Sequence, residues 1–337
     1  MRRGLLLINL GTPKNTSVAA VRNYLRLFLT DKRVIDLPAW FRYILVYFFI
    51  LPFRAKRSAH AYKAIWTKHG SPLLYHSQNL VAQIKREVAD SSYKIALGMR
   101  YGEPSIESAL NHLKHCESIT ILPLYPQYSS AASGSSIEKA MRIMSSWNTI
   151  PSVTIVRDFF QHPAYINAQA KLIKEYLQKH EHVLFSYHGI PARQITKNVC
   201  KSVCSENCPA LNEQIQGCYK AQCHENTRLL AKELQLPENQ YSTAFQSRLG
   251  RASWIKPYTD EHLTKLAAQG IKKLLIVCPS FVADCLETLE EIGIRAKAQW
   301  LALGGEQLIV VPCLNEHPLW VKAIGEITHL KISKKSG

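Results

Sequence analysis

A chain of 337 residues with 47% hydrophobic and 20% charged side chains has the composition of a soluble globular protein with a sizeable core. Its 42 Lys and Arg against 25 Asp and Glu give a formal charge of +17, which favours an anionic lipid surface, a carboxylate-bearing small molecule or nucleic acid. No arginine-rich tract or zinc-finger helix accompanies that charge, so nucleic acid is disfavoured, and the short apolar run after Arg3, interrupted at Gly11 and Pro13, does not read as a signal peptide.

Apolar strand-like runs alternate with helical stretches from end to end. They fall at Gly4–Leu10, Tyr93–Met99, Ser118–Leu124 and Ser152–Arg157, then at His182–Tyr187, Gln240–Phe245, Lys272–Val277 and Gln307–Val311. Continuous apolar runs separated by helix-length connections are the pattern of buried parallel strands. The pattern predicts an α/β protein of two similar Rossmann-like lobes, 1–158 and 159–316, each a four-stranded parallel sheet flanked by helices. A cleft is expected where the strand ends of the lobes face one another. A last helix from about Pro318 to His329, within a tail spanning 317–337, is expected to pack back on the first lobe.

Early in the chain, Leu37–Phe53 holds Trp40, Phe41, Tyr43, Tyr47, Phe48 and Phe49, with Arg42 inside and Arg54, Lys56 and Arg57 behind. It is too short and interrupted to span a bilayer. It reads either as a core helix covering the first sheet or, over about 37–57, as an amphipathic lip that dips into an anionic membrane surface.

Two later segments carry the chemistry. The run His182–Tyr187 delivers His188 to a strand's C-terminal end, on the Gly/Pro-rich loop Gly189-Ile190-Pro191, where α/β sheets hold ligands. About a hundred residues on, Phe281-Val282-Ala283-Asp284-Cys285-Leu286-Glu287 opens a predicted helix with Asp284, Glu287 and Glu291 at i, i+3 and i+7, three carboxylates along one face. An imidazole changes charge near neutrality, and opposite an acidic ladder it suits the movement of protons and a divalent cation. His188 and the ladder of Asp284, Glu287 and Glu291 are therefore the candidate site residues.

Nine cysteines in an unexported chain are expected to be reduced. Cys116, Cys278, Cys285 and Cys313 are scattered and read as packing residues. By contrast Cys200, Cys204, Cys208, Cys218 and Cys223 fall within one stretch. The four-residue spacing of the first three fits one helical face, with Cys218 across a turn. Four thiolates make a full ligand set for a [2Fe–2S] cluster or a zinc ion, and the spacing leaves cluster, zinc and no metal open.

Several motifs in order give the chain a family resemblance. Gly4-Leu5-Leu6-Leu7-Ile8-Asn9-Leu10-Gly11-Thr12-Pro13, Met99-Arg100-Tyr101, Pro123-Leu124-Tyr125-Pro126-Gln127-Tyr128-Ser129, the His188 loop, Phe245-Gln246-Ser247-Arg248 and the Asp284–Glu291 segment resemble those of the ferrochelatases. The resemblance runs from about Gly4 to Trp320. It implies the same two-lobed fold and insertion of Fe²⁺ into protoporphyrin IX, giving protohaem with release of two protons, the last step of haem biosynthesis. It further implies a cytoplasmic enzyme peripherally associated with the inner face of the membrane, from which its lip collects porphyrin.

By the same resemblance His188 is the proton acceptor and Glu287 a transient Fe²⁺ ligand. Arg100, Tyr101 and Tyr128 match polar pocket positions on the metal-entry side. Leu10, Trp254 and Phe281 match apolar walls against the ring, while Arg57 and Ser71 match positions near the propionates. Where related enzymes carry a histidine, this chain has Cys285. Tyr219-Lys220-Ala221-Gln222-Cys223 matches a family element, so Cys200, Cys204, Cys208 and Cys218 sit in an insertion, about 197–223, with Cys223 as the alternate ligand. The rivals are a coproporphyrin chelatase, another tetrapyrrole chelatase, or a non-catalytic haem- or metal-chelate-binding protein.

Overall fold

The computed structural model describes residues 2–88, 90–178, 180–197, 200–204, 208–248, 250 and 252–332. Among the described residues, strands form at each of the eight apolar runs: β1 (Arg3–Gly11), β2 (Tyr93–Tyr101), β3 (Ser118–Pro123), β4 (Ser152–Ile155), β5 (His182–His188), β6 (Tyr241–Gln246), β7 (Lys273–Val277) and β8 (Gln307–Val310). They pair in parallel in two sheets of like order, β2-β1-β3-β4 and β6-β5-β7-β8. The central strands β1 and β5 are buried almost throughout, because helices cover both faces of a parallel sheet. β4, at a sheet edge, is largely exposed and stops at Ile155, before the expected Arg157.

The chain divides into two compact units. One comprises 1–125, 129–158 and 316–337, the other 126–128 and 159–315. In the first unit Leu6, Ile8, Ile119 and Ile121 pack against Ile106, Leu110 and Leu113 of the helix Ile106–Leu113, which Ser105 caps through Ser108 N–H. The C-terminal helix Pro318–Thr328 belongs to this unit, where Glu316 accepts hydrogen bonds from His76 and Asn79 of the helix Pro72–Glu87. In the second unit Leu184, Leu274, Ile276 and Leu308 pack against Leu263, Ile292 and Trp300.

The aromatic segment of the first unit winds as one helical run: α-helical over Ala39–Ile44, π-helical over Leu45–Ile50 and α-helical again over Leu51–Ile65. Val46, Leu51, Ala55, Ala59, Tyr62 and Ile65 face the core, and buried Arg42 donates to the Leu37 carbonyl. Trp40, Phe48, Phe49 and Phe53 face out, at 68%, 71%, 64% and 77% exposure, so the core reading fails for those four. No helix among the described residues is long and apolar enough to cross a membrane.

Two expected helices take other forms. Asp284 lies in an irregular segment, and from Glu287 to Ala296 the backbone is π-helical, so three carboxylates do not line one α-helical face. Asp284 is instead drawn off the helix. Its carboxylate accepts from Thr288 Oγ1, Cys313 N and Asn315 Nδ2, while Asn315 Oδ1 accepts from Asp284 N. Likewise Cys200, Cys204 and Cys208 are not helical: among the described residues, helix ends at Thr196 and resumes at Tyr219.

At the amino end of β5, His182 Nε2 and His262 Nε2 both bond Ser242 Oγ, at 2.8 and 2.9 Å. One hydroxyl donates to one ring and accepts from the other, so both imidazoles fit this buried bridge neutral. Burial pushes His182 down to about 4, with His262 opposing its charge further, and burial followed by Lys265 lowers His262. Histidines lowered in the fold bind fewer protons than in the unfolded chain, so their contribution is whole above about pH 6.5 and is lost as pH falls towards 4. The His182 shift corresponds to roughly 3 kcal/mol. We expect the melting temperature to fall steeply over that window, and His182→Gln to flatten the slope measurably.

Candidate active site

The second unit holds the candidate pair. β5 pairs with β7 as far as Phe185 but with β6 as far as His188, so the end of β5 loses its neighbour on one side. Buried main-chain groups need partners. Here His188 N donates to Ser280 Oγ (3.2 Å) and Tyr219 OH donates to the His188 carbonyl (2.7 Å). Tyr219 and Ser280 lie 3.1 Å apart through their hydroxyls. The tyrosine proton is committed to the carbonyl, so the serine donates to tyrosine and the three residues close a ring of hydrogen bonds.

The imidazole is held too. His188 Nδ1 lies 2.6 Å from the Gly189 carbonyl, which can only accept, so Nδ1 carries the proton and Nε2 the lone pair. Gly189 N donates to the Gln246 carbonyl at 2.8 Å, and a Cβ on Gly189 would stand 2.8 Å from that oxygen and 3.4 Å from the Trp254 ring. Only glycine fits there. The Phe281 ring stands edge-on to His188, with centroids 6.1 Å apart, so Trp254 and Phe281 lie close to the histidine loop.

Glu291 accepts from Ser247 N (2.8 Å) and Ser247 Oγ (2.5 Å), and Ser247 adopts the left-handed backbone, φ 68°, to offer both. Burial raises the Glu291 carboxyl. The Ser247 bonds, and the positive charge His188 carries when protonated, oppose that rise, and Glu287 adds to it. His188, Glu287 and Glu291 thus share one electrostatic neighbourhood. Gln246 ties it together: Nε2 donates to the Glu287 carbonyl and Oε1 accepts from Ser186 Oγ. Cys285 is buried beside Glu287; burial, then Glu287, raises its thiol. Asp284, saturated by its own partners, fixes the entry to the π-helix.

In the first unit Arg100 and Tyr101 end β2 and converge on Asp31. Arg100 Nη2, Tyr101 OH and Ser135 Oγ all donate to Asp31 Oδ2, at 2.5, 2.8 and 2.6 Å. Burial works to raise the Asp31 carboxyl, but Ser135, the Arg33 N–H, Tyr101 and Arg100 together hold it below its ordinary value. Leu10 is half-buried at the end of β1. Arg57 is exposed on the helix Leu51–Ile65, and Ser71 is buried ahead of the helix Pro72–Glu87. Tyr128 belongs to the second unit, where its N–H donates to Gln222 Oε1.

The cysteine segment ends at Cys218, which precedes the helix Tyr219–Leu234. Burial, then Cys218 and Cys204, push the Cys200 thiol up to about 11. Burial, with Cys204 first among the other causes, pushes Cys208 up to about 12. Cys200 is thus within electrostatic reach of Cys204 and Cys218, and so is Cys208, beside the buried Lys220, whose ammonium donates to the Cys204 carbonyl. Among the described residues, no three His, Cys, Asp or Glu side chains are arranged to hold a metal ion.

Tyr219, Ser280, Gln246, Ser247 and Asp31 gain roles that the sequence alone does not assign. Gln246 and Ser247 lie within a ferrochelatase-like motif, and Ser280 adjoins Phe281. Tyr219 opens the Tyr-x-x-Gln-Cys element. Asp31, remote in sequence from Arg100, gives no signal at all.

Twin parallel sheets, with one imidazole set among carboxylates, define a chelatase-like α/β protein. Bacillus subtilis SirB, solved with Fe³⁺, has the same fold at a TM-score of 0.54 and 13% identity, over 97% of this chain and 96% of that one. The family profile described as Ferrochelatase matches residues 2–332. A Legionella pneumophila (strain Paris) ferrochelatase is 61% identical over 98% of this chain and 100% of its own length. One from Coxiella burnetii (strain Dugway 5J108-111) is 50% identical over 99% and 93% respectively. The chain belongs to the ferrochelatase family.

Proposed function

We propose that the protein inserts Fe²⁺ into protoporphyrin IX, releasing two protons and forming protohaem. The observation that carries this reading is the fixed tautomer of His188: Nδ1–H is spent on the Gly189 carbonyl, so Nε2 presents its lone pair. Insertion breaks two pyrrole N–H bonds and forms bonds from four nitrogens to one iron. Nε2 takes the two pyrrole protons in turn, handing the first on before it accepts the second, and the imidazolium formed each time is stabilised by the carboxylates of Glu287 and Glu291. Glu287 receives the incoming Fe²⁺ as a transient oxygen ligand, weak enough to release it. Glu291, raised by burial and clamped by Ser247, passes protons onward. Leu10, Trp254 and Phe281 contact the ring; Arg57 and Ser71 serve the propionates; Arg100, Tyr101 and Tyr128 line the approach of the metal.

Anaerobic turnover of Fe²⁺ with protoporphyrin and with coproporphyrin, followed by absorbance, tests this reading, and preference for coproporphyrin would move the assignment to that chelatase. His188→Ala is expected to lower insertion at least 100-fold with porphyrin binding retained. Glu287→Gln is expected to fall further at low Fe²⁺ than at saturation.

The working place is an anionic membrane surface on the cytoplasmic side. Support comes from the four outward aromatics and from Lys56 and Arg57, exposed one turn beyond them. A Phe side chain fully withdrawn from water gains about 1.5–3 kcal/mol, so two or three dipping into a bilayer suffice for reversible binding. Phe48→Ser with Phe49→Ser should weaken sedimentation with anionic vesicles about tenfold or more, while turnover on detergent-dispersed porphyrin stays near wild type.

Cys200, Cys204, Cys208 and Cys218 fit a [2Fe–2S] cluster in donor chemistry, with zinc as the rival and Cys223 as the alternate ligand. Their thiols are neighbours, and buried Lys220 would offset thiolate charge. The side chains are not preset for metal, so binding would require the segment to rearrange around it. A bound cluster would cross-link the segment through thiolate–metal bonds. Anaerobically purified protein should carry about two irons and visible charge-transfer absorption. Colourless protein with one zinc would favour the rival, and metal-free, fully stable protein would show the cysteines to be incidental.

A further inference from the structure

A hydroxyl that touches no substrate can still set a rate if it fixes the group that does. The main chain of the proton acceptor assigned above sits at a strand end that has lost one neighbour. Two side chains replace that neighbour. Ser280 Oγ accepts from His188 N, and Tyr219 OH donates to His188 O, so both polar groups of one residue are bracketed.

The bracket is closed, and its tyrosine is buried. Tyr219 is 7% exposed, and its hydroxyl meets Ser280 Oγ at 3.1 Å. Burial, then Cys223, hold the phenol well above its usual range, so it stays a donor. Gly189 continues the same rail, its N–H on the Gln246 carbonyl and its carbonyl on His188 Nδ1. Tilting the His188 peptide would therefore break three or four hydrogen bonds together and release the ring's tautomer with them.

We infer that Tyr219 and Ser280 are positioning residues for metal insertion, holding the His188 backbone so that Nε2 keeps a fixed aim and a fixed lone pair. The inference rests on the reading of His188 as proton acceptor. It also gives the cysteine-bearing segment a physical route to the chemistry, because Tyr219 follows Cys218 directly.

The test is steady-state insertion by full-length Tyr219→Phe, Ser280→Ala, Ser280→Thr and His188→Ala, with porphyrin KM, kcat and melting temperature measured for each. Loss of a positioning hydroxyl should lower kcat roughly 10- to 100-fold, with KM for porphyrin within about twofold. Ser280→Thr, which keeps an Oγ, should recover most of what Ser280→Ala loses. A merely structural pair would lower the melting temperature while kcat per folded molecule held, and that outcome overturns the inference. Wild-type kcat in Tyr219→Phe or Ser280→Ala, alongside an inactive His188→Ala, would sink the bracket and leave the histidine's role intact. Full turnover by His188→Ala would instead remove the role itself. Should Tyr219→Phe fail to fold, Ser280→Ala against Ser280→Thr decides.

Discussion

A strand that outruns its neighbour leaves peptide groups that nothing in the sheet can satisfy, and the second unit is organised around one such place. β5 continues through Ser186, Tyr187 and His188 after β7 has turned away. Each exposed N–H and carbonyl there would cost about as much as a lost hydrogen bond if it were buried alone. The surrounding groups answer that need: the Ser280 and Tyr219 side chains for His188, the Gln246 main-chain carbonyl for Gly189, and the Gln246 side chain for the Glu287 carbonyl. Satisfying the backbone and aiming the imidazole are one arrangement.

The first unit answers the same problem with the same sheet order. Gly11 at the end of β1 meets Tyr101 at the end of β2, where its φ of 104° would place any Cβ against the Tyr101 carbonyl. Gly189 meets Gln246 in the matching strands of the second unit. Beyond the glycine the two units diverge. In one unit the neighbouring strand ends in Arg100 and Tyr101, drawn onto the Asp31 carboxylate. In the other it ends in Gln246 and leads to Ser247, whose left-handed backbone grips Glu291. Similar scaffolds hold an Arg100–Asp31 ion pair in one unit and an acidic corner in the other.

Much of this was legible in the chain because parallel strands buried on both faces read as unbroken apolar runs, and a histidine ending such a run announces its own position. The form of the Asp284–Glu291 segment was not. Its residues suit an α-helix locally, but Asp284 finds stronger partners in Asn315, the Cys313 N–H and Thr288 than a helical turn would give it, so tertiary contacts override the local pattern. The regular spacing of Cys200, Cys204 and Cys208 misled for a similar reason, since spacing says nothing where no apolar face anchors a helix. The roles of Tyr219 and Ser280 were not legible because a single polar side chain that serves a distant backbone has no periodicity. The outward aromatics were ambiguous until burial separated them from Val46, Leu51 and Ala55 on the opposite face.

The π winding from Glu287 to Ala296 makes that stretch tolerant of changes in composition but not in length. A π turn accommodates one more residue than the α-helix that would otherwise form, and helices of this kind relax readily to the commoner form when a residue is removed. One codon lost between Glu287 and Glu291 would remove the residue that the wider turn holds, and the α turn left behind would change the reach from Glu287 to Glu291 and to the Ser247 that grips it. In a diverging lineage, point changes on the outer face of this helix can accumulate, whereas a single-residue deletion closes the route.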